Sequence, residues 1–460
     1  MKTASERGAM RARTLVMAAV SIPVLADPLR LSAAPPGPPP LPLTLRRTIE
    51  LAHANNKEIQ IQEKEVRAAR AARLGAVSPF LPQVQVNGGY THNSATLFEG
   101  GGDRALSDSG KDAGVFTGYK DNINAGGAVT QSVYRGGGDY AALRKAGLEI
   151  TVQEETLRAR LLDVEFDAKR LYYGLLLAQE NECIAEDLLA QAQAHYADVS
   201  GKYAHGTASR FDLLQSKVHV ALVIPQLVGA QNSVEMIGAD LKKLLSLRMQ
   251  DEIALTERLD YVPVAVDEGA FLRRAYERRP EMILKSLGVD MGEWSIRQAR
   301  ATRLPRVDAS AATFFQADEV GRLFNSRHNL WSAGAAVTLP IFDGFYTKSK
   351  VDQAWARYAQ AGLAKENTAE ATAVDVRRAC LDLRRAQSII DSQRDNIVEA
   401  REALRISEVA YGNGVGTNLD VLDSLVSLSQ AEQYYASGIY DYLMAKASLD
   451  RTMGESAVAP

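Results

Sequence analysis

The sequence predicts a mainly helical protein that is built from two tandem copies of one unit, with two β-strands in each copy. Two helical runs, at residues 139–203 and 346–411, extend over about 100 Å at 1.5 Å per residue. Each run ends in a short glycine-containing segment, YAHGTASRFD from Tyr203 and YGNGVGTNLD from Tyr411. Each copy also contains two segments in which polar and apolar residues alternate, as is typical of strands.

A constant spacing relates the two copies. The spacing is 208 residues at the glycine-containing segments and 223 residues at the first strand of each copy; the difference, 223 − 208 = 15, is an insertion in the first copy. Repeats that keep their spacing over some two hundred residues determine the fold. The matched pairs include Tyr203 and Tyr411, Gly206 and Gly414, Asp212 and Asp420, and Leu81-Pro82 and Leu304-Pro305.

The N-terminus is typical of an export signal, which we assign to residues 1–26. Arg7, Arg11 and Arg13 precede an apolar run over residues 15–25, and Val24-Leu25-Ala26 fits a cleavage site. The alternative is a disordered apolar N-terminus, and Met10 would also begin a complete signal. Residues 27–43 are rich in proline and are expected to form an extended linker.

The first copy is assigned to residues 44–245. It begins with a helical pattern over residues 44–77, and alternating strand patterns follow at 83–91 and 122–134. Between the strands, residues 93–120 are rich in glycine, serine and aspartate and are expected to form a long exposed loop. The long helix at 139–203 and a shorter helix at 211–245 complete the copy.

The second copy is assigned to residues 267–454 and repeats this order, after a joining segment at 246–266 with a strand-like patch at 261–266. Its predicted elements are a helix at 267–303, strands at 307–315 and 330–341, the long helix at 346–411 and a last helix at 419–453; residues 455–460 are a tail. Because the two shorter helices of a copy together match one long helix in length, we expect them to stack end to end beside it.

The segment at residues 411–423, called here the second tip, is the main candidate site, and residues 203–215 form the equivalent first tip. Glycine reverses a helix at low cost because it adopts left-handed backbone conformations. Asn418 is expected to cap the last helix, and Asp420 to lie in its first turn. Asp420 and Asp423 are three residues apart and so share one helix face. Capping and solvated charge are the alternative explanation for these two acids.

No catalytic, cofactor-binding or metal-binding motif is found in the sequence, so we predict that the protein is not an enzyme. The glycines of the second tip follow a helix and lack the lysine of a phosphate-binding loop. The six histidines include no pair at metal-ligand spacing, and a net charge of −3 does not favour a nucleic-acid partner. Cys183 and Cys380 are expected to be buried free thiols rather than a disulfide.

Four strands per chain are too few to close a membrane barrel, since about eight is the small end for such barrels. The strands therefore form either an ordinary small sheet or part of a barrel to which several chains contribute.

The repeat order, the Leu-Pro start of each first strand, the segment VTLPIFDGF at 337–345 and the second tip together resemble the TolC-like outer-membrane efflux and secretion channels. The resemblance covers residues 44–454. It implies a homotrimer in the outer membrane of a Gram-negative bacterium, in which twelve strands, four from each chain, form one β-barrel and twelve helices form a periplasmic α-barrel. It implies a passive exit duct for efflux or type I secretion, served by an inner-membrane transporter and a periplasmic adaptor (membrane fusion) protein, with outer-membrane lipid around the barrel.

The resemblance also assigns roles to the tips. Asp420 and Asp423 match acidic rings at the periplasmic aperture, and Tyr411 matches a tyrosine that helps to hold the aperture closed. Some members have an arginine that locks the aperture where this chain has Gly416, so its closing contacts must differ. The tip positions expected to meet the adaptor are Gly206, Asp212, Gly414 and Gly416. The alternative is a soluble periplasmic coiled-coil adaptor or scaffold, although such proteins normally carry one helical hairpin between compact β domains.

Overall fold

The computed structural model describes residues 41–92, 121–317, 319–324 and 329–456, and its helices follow the two copies. The predicted signal, most of the linker, the loop at 93–120 and the last residues of the tail lie outside these ranges. The helices are α1 (Leu45–Asn55), α2 (Lys57–Val77), α3 (Gly138–Ala204) and α4 (Arg210–Leu244), then α5 (Glu268–Arg278), α6 (Pro280–Ala301), α7 (Tyr346–Gly412) and α8 (Asn418–Met453). The two long helices, α3 and α7, have 67 residues each.

Two segments that were predicted as single helices are each divided in two. The pattern at 44–77 breaks at Asn56, whose side chain accepts a hydrogen bond of 2.8 Å from the amide of Glu58 and so caps α2. The pattern at 267–303 breaks between Arg279 and Pro280, because a proline has no N–H for the preceding turn and suits the first position of a new helix.

The shorter helices lie end to end along the long ones, as expected. In the half of the molecule near the strands, α3 packs against α2 and α6, and α6 packs against α7; in the half near the tips, α4 packs against α3, α3 against α8, and α8 against α7. Each half is therefore a row of four helices. Its outermost members are α2 and α7 near the strands, and α4 and α7 near the tips.

A small parallel sheet corrects two predictions. Leu41–Leu43 (β1) pairs with Ile253–Leu255 (β4), so the last linker residues are a strand, whereas residues 261–266 are not. Leu43 is fully buried, and its carbonyl accepts a hydrogen bond of 3.2 Å from the Tyr172 hydroxyl. Tyr261 and Val266 instead pack their side chains against the core of the second copy.

The four remaining strands form one antiparallel sheet in the order β2-β3-β5-β6. They are β2 (Gln83–His92), β3 (Asp121–Arg135), β5 (Arg306–Ala317) and β6 (Asn329–Thr338). The register places apolar residues opposite one another on one face, such as Val84 with Val129. The last strand ends at Thr338 rather than 341, and Pro340, two residues further on, cannot donate a ladder hydrogen bond.

The sheet leaves its apolar side chains in the open. Every residue of β2 is exposed, and Val86 and Trp331 retain 85% and 77% of their accessible surface. Within the described ranges, β2 and β6 each pair on one side only. Open sheet edges are ready to pair with another chain, and a large exposed apolar face marks a contact with protein or membrane.

Helix α4 is also unusually exposed for its composition. It is the one described helix that is long and apolar enough to cross a membrane by length and composition, with a mean hydropathy of 1.3 over its best window, of which 11% is buried. Its exposed side chains include Phe211, Val218, Leu222 and Met236.

Neither cysteine forms a disulfide, but only one of the two predictions of burial is right. Cys380 is buried in α7 against Ala275 and Val376, whereas Cys183 is exposed on α3. The helical period around Cys183 turns the neighbouring Ile184 inward instead.

Candidate functional site at the helical tips

The two tips reverse the chain with the same backbone geometry. Gly206 and Gly414 have φ angles of +78° and +76°. The next amide then donates back across the turn, from Thr207 to the carbonyl of Lys202 at 2.9 Å in the first tip. Val415 makes the equivalent bond of 3.0 Å in the second tip. This is the hydrogen-bond pattern of a helix that ends on a left-handed glycine.

Gly416 is required for a different reason. Its φ angle is not positive, but a Cβ at this position would lie 2.9 Å from the Cβ of Ala410 and 3.1 Å from the amide nitrogen of Tyr411. The end of α7 and the start of α8 therefore approach too closely for a side chain. The arginine that some channels carry here does not fit this backbone without movement.

The helix caps at the two tips are also equivalent, and they correct one prediction. The N-cap of α8 is Thr417 and not Asn418. The Thr417 hydroxyl accepts a hydrogen bond from the Asp420 amide at 3.2 Å, and the Asp420 carboxylate accepts one from the Thr417 amide at 2.8 Å. Ser209 and Asp212 form the same reciprocal pair at the start of α4.

This cap gives Asp420 a structural role and keeps it charged. The Thr417 side-chain hydroxyl, followed by the Thr417 backbone amide, lowers the pKa of Asp420 below its usual value. Asp423 lies one turn further along α8, is exposed, and forms no ion pair with any residue that the structure describes. The two predicted acids thus differ, since the cap holds Asp420, whereas Asp423 forms no described ion pair.

Asn418, at the first position of α8, is buried at the contact between the two tips. Its Nδ2 donates to Oε1 of Gln215 at 3.0 Å, and its Oδ1 lies 2.7 Å from Nε2 of His195 and 3.0 Å from Oγ of Ser216. Because Oδ1 only accepts, Nε2 of His195 carries the proton. One amide therefore links α3, α4 and α8.

Sequence reasoning missed this contact. The available signal was the comparison of the two copies, since the first copy has Arg210 where the second has Asn418. A short amide that replaces a long cation at one of two equivalent positions indicates that the position is buried in only one of them.

Tyr411 lies beside this contact, inside one protomer. Its ring centroid is 5.5 Å from that of His195, and Nζ of Lys202 lies 4.4 Å above its ring. Lys202 also pairs with Asp198 at 2.7 Å. Burial raises the pKa of Tyr411, and the charges of Asp212 and Asp198 raise it further, so the hydroxyl stays protonated. The end of α7 is thereby fixed to α3.

A second histidine faces the same contact from α4. Nε2 of His219 is buried and has no hydrogen-bond partner among the described residues. Burial lowers the pKa of His219, the neighbouring His195 lowers it further, and Asp423 partly opposes both. His219 is therefore neutral at neutral pH. The described residues contain no group of three or more His, Cys, Asp or Glu side chains that could hold a metal ion.

Comparisons with known proteins agree on one class. The family described as "Outer membrane efflux protein" matches residues 48–246 and 271–455. Outer membrane protein TolC of Escherichia coli is 23% identical over 434 residues, which cover 89% of this chain and 82% of that protein. The alkaline protease secretion protein AprF of Pseudomonas aeruginosa is 24% identical over 68% of this chain and 66% of its own length. The CmeC outer membrane channel of Campylobacter jejuni superimposes with a TM-score of 0.78 at 16% identity, over 89% of this chain and 85% of CmeC.

Proposed function

This chain belongs to the outer membrane efflux protein family, and on that premise we propose that three copies form one exit duct whose periplasmic aperture lies at the helical tips. The protein is an outer-membrane channel of the efflux and type I secretion kind, with an extension into the periplasm, and it is not an enzyme. Channels of this family are trimeric and work with efflux systems. The assembly, aperture and partners of this particular chain form the proposal.

The sheet supports a trimer. Backbone groups at an open sheet edge are not tolerated in hydrocarbon, where no water replaces the missing partner. Pairing β6 of one copy with β2 of the next would close both edges, and three copies would contribute twelve strands to one barrel. The apolar face would then contact lipid and the polar face would line the channel.

The helical part supports the same closure. The outermost helices near the tips, α4 and α7, both carry exposed apolar side chains, such as Leu222 on α4 and Val398 on α7, at 62% and 67% exposure. A contact between α4 of one copy and α7 of the next would bury both surfaces. Because the two surfaces differ, the contact is head-to-tail, and it forms a ring when the rotation closes.

The second tip is proposed to line the aperture. In a closed ring, three copies of Asp420 and Asp423 surround one axis, and acids gathered at a narrow aqueous opening concentrate cations. Tyr411 and the buried amide of Asn418 hold the second tip against the first within each copy. Opening the aperture requires these contacts to change.

The exposed turns of the tips are proposed as the docking surface for a periplasmic adaptor, with an inner-membrane transporter beyond it. Gly206 and Gly414 leave backbone atoms accessible, because neither has a neighbouring heavy atom within 4 Å of its Cβ position. Asp212 is held by its cap and so presents a fixed charge beside the first turn.

The observation that carries the proposal is the four-stranded sheet with two open edges at one end of helices about 100 Å long. Light scattering of the detergent-solubilised protein should give the mass of a trimer, and the trimer should form ion-conducting pores in planar bilayers. A monodisperse monomer with full helix and strand content would contradict the proposed assembly.

A further inference from the structure

The connection from β6 to α7, residues 339–345, is an exposed apolar corner at the end of the sheet nearest the helices. Ile341 and Phe342 retain 95% and 75% of their accessible surface. Phe345 is 67% exposed and packs edge-on against Phe342, with ring centroids 5.6 Å apart. Among the described residues of the same chain, none covers these three side chains.

Phe345 adopts a backbone conformation that disfavours a side chain. Its φ angle is +69°, and its counterpart in the first copy, 208 residues earlier, is Gly137 with a φ of +80°. A Cβ is unfavourable in this left-handed region. Because most of the Phe345 ring is exposed, packing within its own protomer contributes little stability to offset this backbone strain.

The equivalent corner of the first repeat indicates which part of the second-repeat corner a neighbouring protomer would cover. Its own corner packs inside the chain, where a Cβ on Gly136 would lie 2.5 Å from the carbonyl oxygen of Ala301. Gly344 is the counterpart of Gly136, and residues 78–81 are the counterparts of residues 301–304. In a trimer, Gly344 would therefore meet residues 78–81 of the next protomer. Gly137, however, has no heavy atom within 4 Å of a Cβ. By the same relation, the Cβ of Phe345 would meet no heavy atom of the next protomer within 4 Å.

The counterparts of the other two apolar side chains of the corner are also exposed. Val133 and Tyr134, the counterparts of Ile341 and Phe342, remain 63% and 48% exposed in the intact first-copy corner. Tyr134 lies opposite Val307, which lies opposite Val337. The corner thus continues the apolar face of the sheet.

Unpaired cations border this apolar surface. A cleft of about 470 Å³ is lined by Arg303, Lys348 and the three apolar side chains of the corner. Arg303 and Lys348 are exposed, and neither forms an ion pair with a described residue. Two acids also line the cleft. Asp343 is engaged by the amide of Thr347 at 2.9 Å and by its hydroxyl, and Asp352 lies one turn of α7 further from the sheet.

We propose that this corner binds a phospholipid of the membrane leaflet that faces the periplasm. The acyl chains lie along Ile341, Phe342 and Phe345, and the phosphate lies between Arg303 and Lys348. Aromatic side chains favour the membrane interface, long cations reach its headgroups from an apolar surface, and basic pockets bind anionic headgroups. The inference rests on the membrane placement of the sheet proposed above.

The test is titration of the detergent-solubilised channel with phosphatidylglycerol, followed by native mass spectrometry. Replacing both cations, in R303Q/K348Q, should weaken lipid binding about thirty-fold, since each cation near an anionic headgroup contributes to the affinity. The control K217Q/R394Q removes two exposed cations that form no described ion pair elsewhere, and it should bind lipid as the parent does. Phe345→Gly should also bind lipid more weakly while unfolding at the same temperature or higher, because it relieves the backbone strain.

Three outcomes would overturn the inference. The first is equal lipid affinity in R303Q/K348Q and the control. The second is that inorganic phosphate protects the channel against thermal unfolding as well as the lipid does. The third is loss of the lipid-free trimer in Phe345→Gly. The last outcome would identify the corner as a subunit contact. Pore formation in planar bilayers separates the two proposals: a conducting channel whose lipid binding ignores these variants refutes only the lipid site.

Discussion

Removing the carboxylates of Asp420 and Asp423 should change the ion selectivity of the pore without unfolding the chain. In the proposed trimer, up to six carboxylates surround the aperture. Two unit charges 4 Å apart interact by about 1 kcal/mol in bulk water and by about 4 kcal/mol near a protein surface. Such a ring should favour cations over anions and should bind multivalent cations tightly enough to block the pore.

The structure separates this effect from helix capping. Asp420 takes part in a reciprocal cap with Thr417, whereas Asp423 has no such bond. The double variant Asp420→Ala/Asp423→Ala should therefore lose a cap as well as the ring. The control Asp212→Ala loses the equivalent cap at the first tip, where Gln215 stands in place of the second acid. Both variants should show similar shifts in thermal unfolding, because substituting a capping group has a modest cost.

Planar-bilayer recordings decide the question. The reversal potential in a salt gradient measures selectivity, and added trivalent cations measure block. Because the pKa of Asp420 is lowered, its cap and charge are present above the usual value of 3.8 and are lost only as the pH falls through the lower folded value. Selectivity and block that are unchanged in the double variant, or equally changed in the control, would refute the aperture role.

Three further perturbations test the tips and the ion pair of 2.6 Å between Arg451 of α8 and Glu281 of α6. Gly414→Ala should destabilise the protein by about 1–2 kcal/mol, because the left-handed backbone at this position is unfavourable for a residue with a Cβ although there is space for one. The control Gly362→Ala, inside α7, should stabilise the protein by about 1 kcal/mol. Thermal unfolding measures both changes, and equal shifts would contradict the reasoning. Asn418→Leu should cost about 1–3 kcal/mol by leaving its buried partners unpaired, and should increase the open time in single-channel recordings. Burial raises the pKa of Glu281, but the hydrogen bond and charge of Arg451, a backbone hydrogen bond and the charge of Arg279 together lower it below its usual value. The contribution of the charged Glu281 to stability is therefore present above the usual 4.5 and is lost as the pH falls through the lower folded value. In Arg451→Gln, acid unfolding should begin at a higher pH than in the parent.

The local features of the fold could be predicted from the sequence because short-range rules control them. The long helix predicted at 139–203 is Gly138–Ala204, and the strand predicted at 83–91 is Gln83–His92. A repeating pattern of apolar residues determines each of these elements within its own length. The left-handed glycines at 206 and 414 were predictable for the same reason, since a helix that ends in a tight reversal needs them.

The candidate site was predictable in position but not in its contacts. Sequence reasoning placed Asp420 in the first turn of α8, where it lies, but it assigned the cap to Asn418 instead of Thr417. Both residues are good N-caps, so propensity does not choose between them. Thr417 is the cap because the Asn418 side chain instead forms hydrogen bonds with residues of α3 and α4.

The sequence by itself determined the two copies, the lengths of the two long helices, the alternating strands and the glycine turns. Only the tertiary structure decided that Asn418 turns inward to His195, that Leu41–Leu43 pairs with Ile253–Leu255, and that Cys183 stays exposed. These outcomes depend on groups about two hundred residues apart in the first two cases, and on the neighbouring helices in the third. A periodic pattern shows which face of an element is apolar, but the element that packs against that face decides which polar groups find partners.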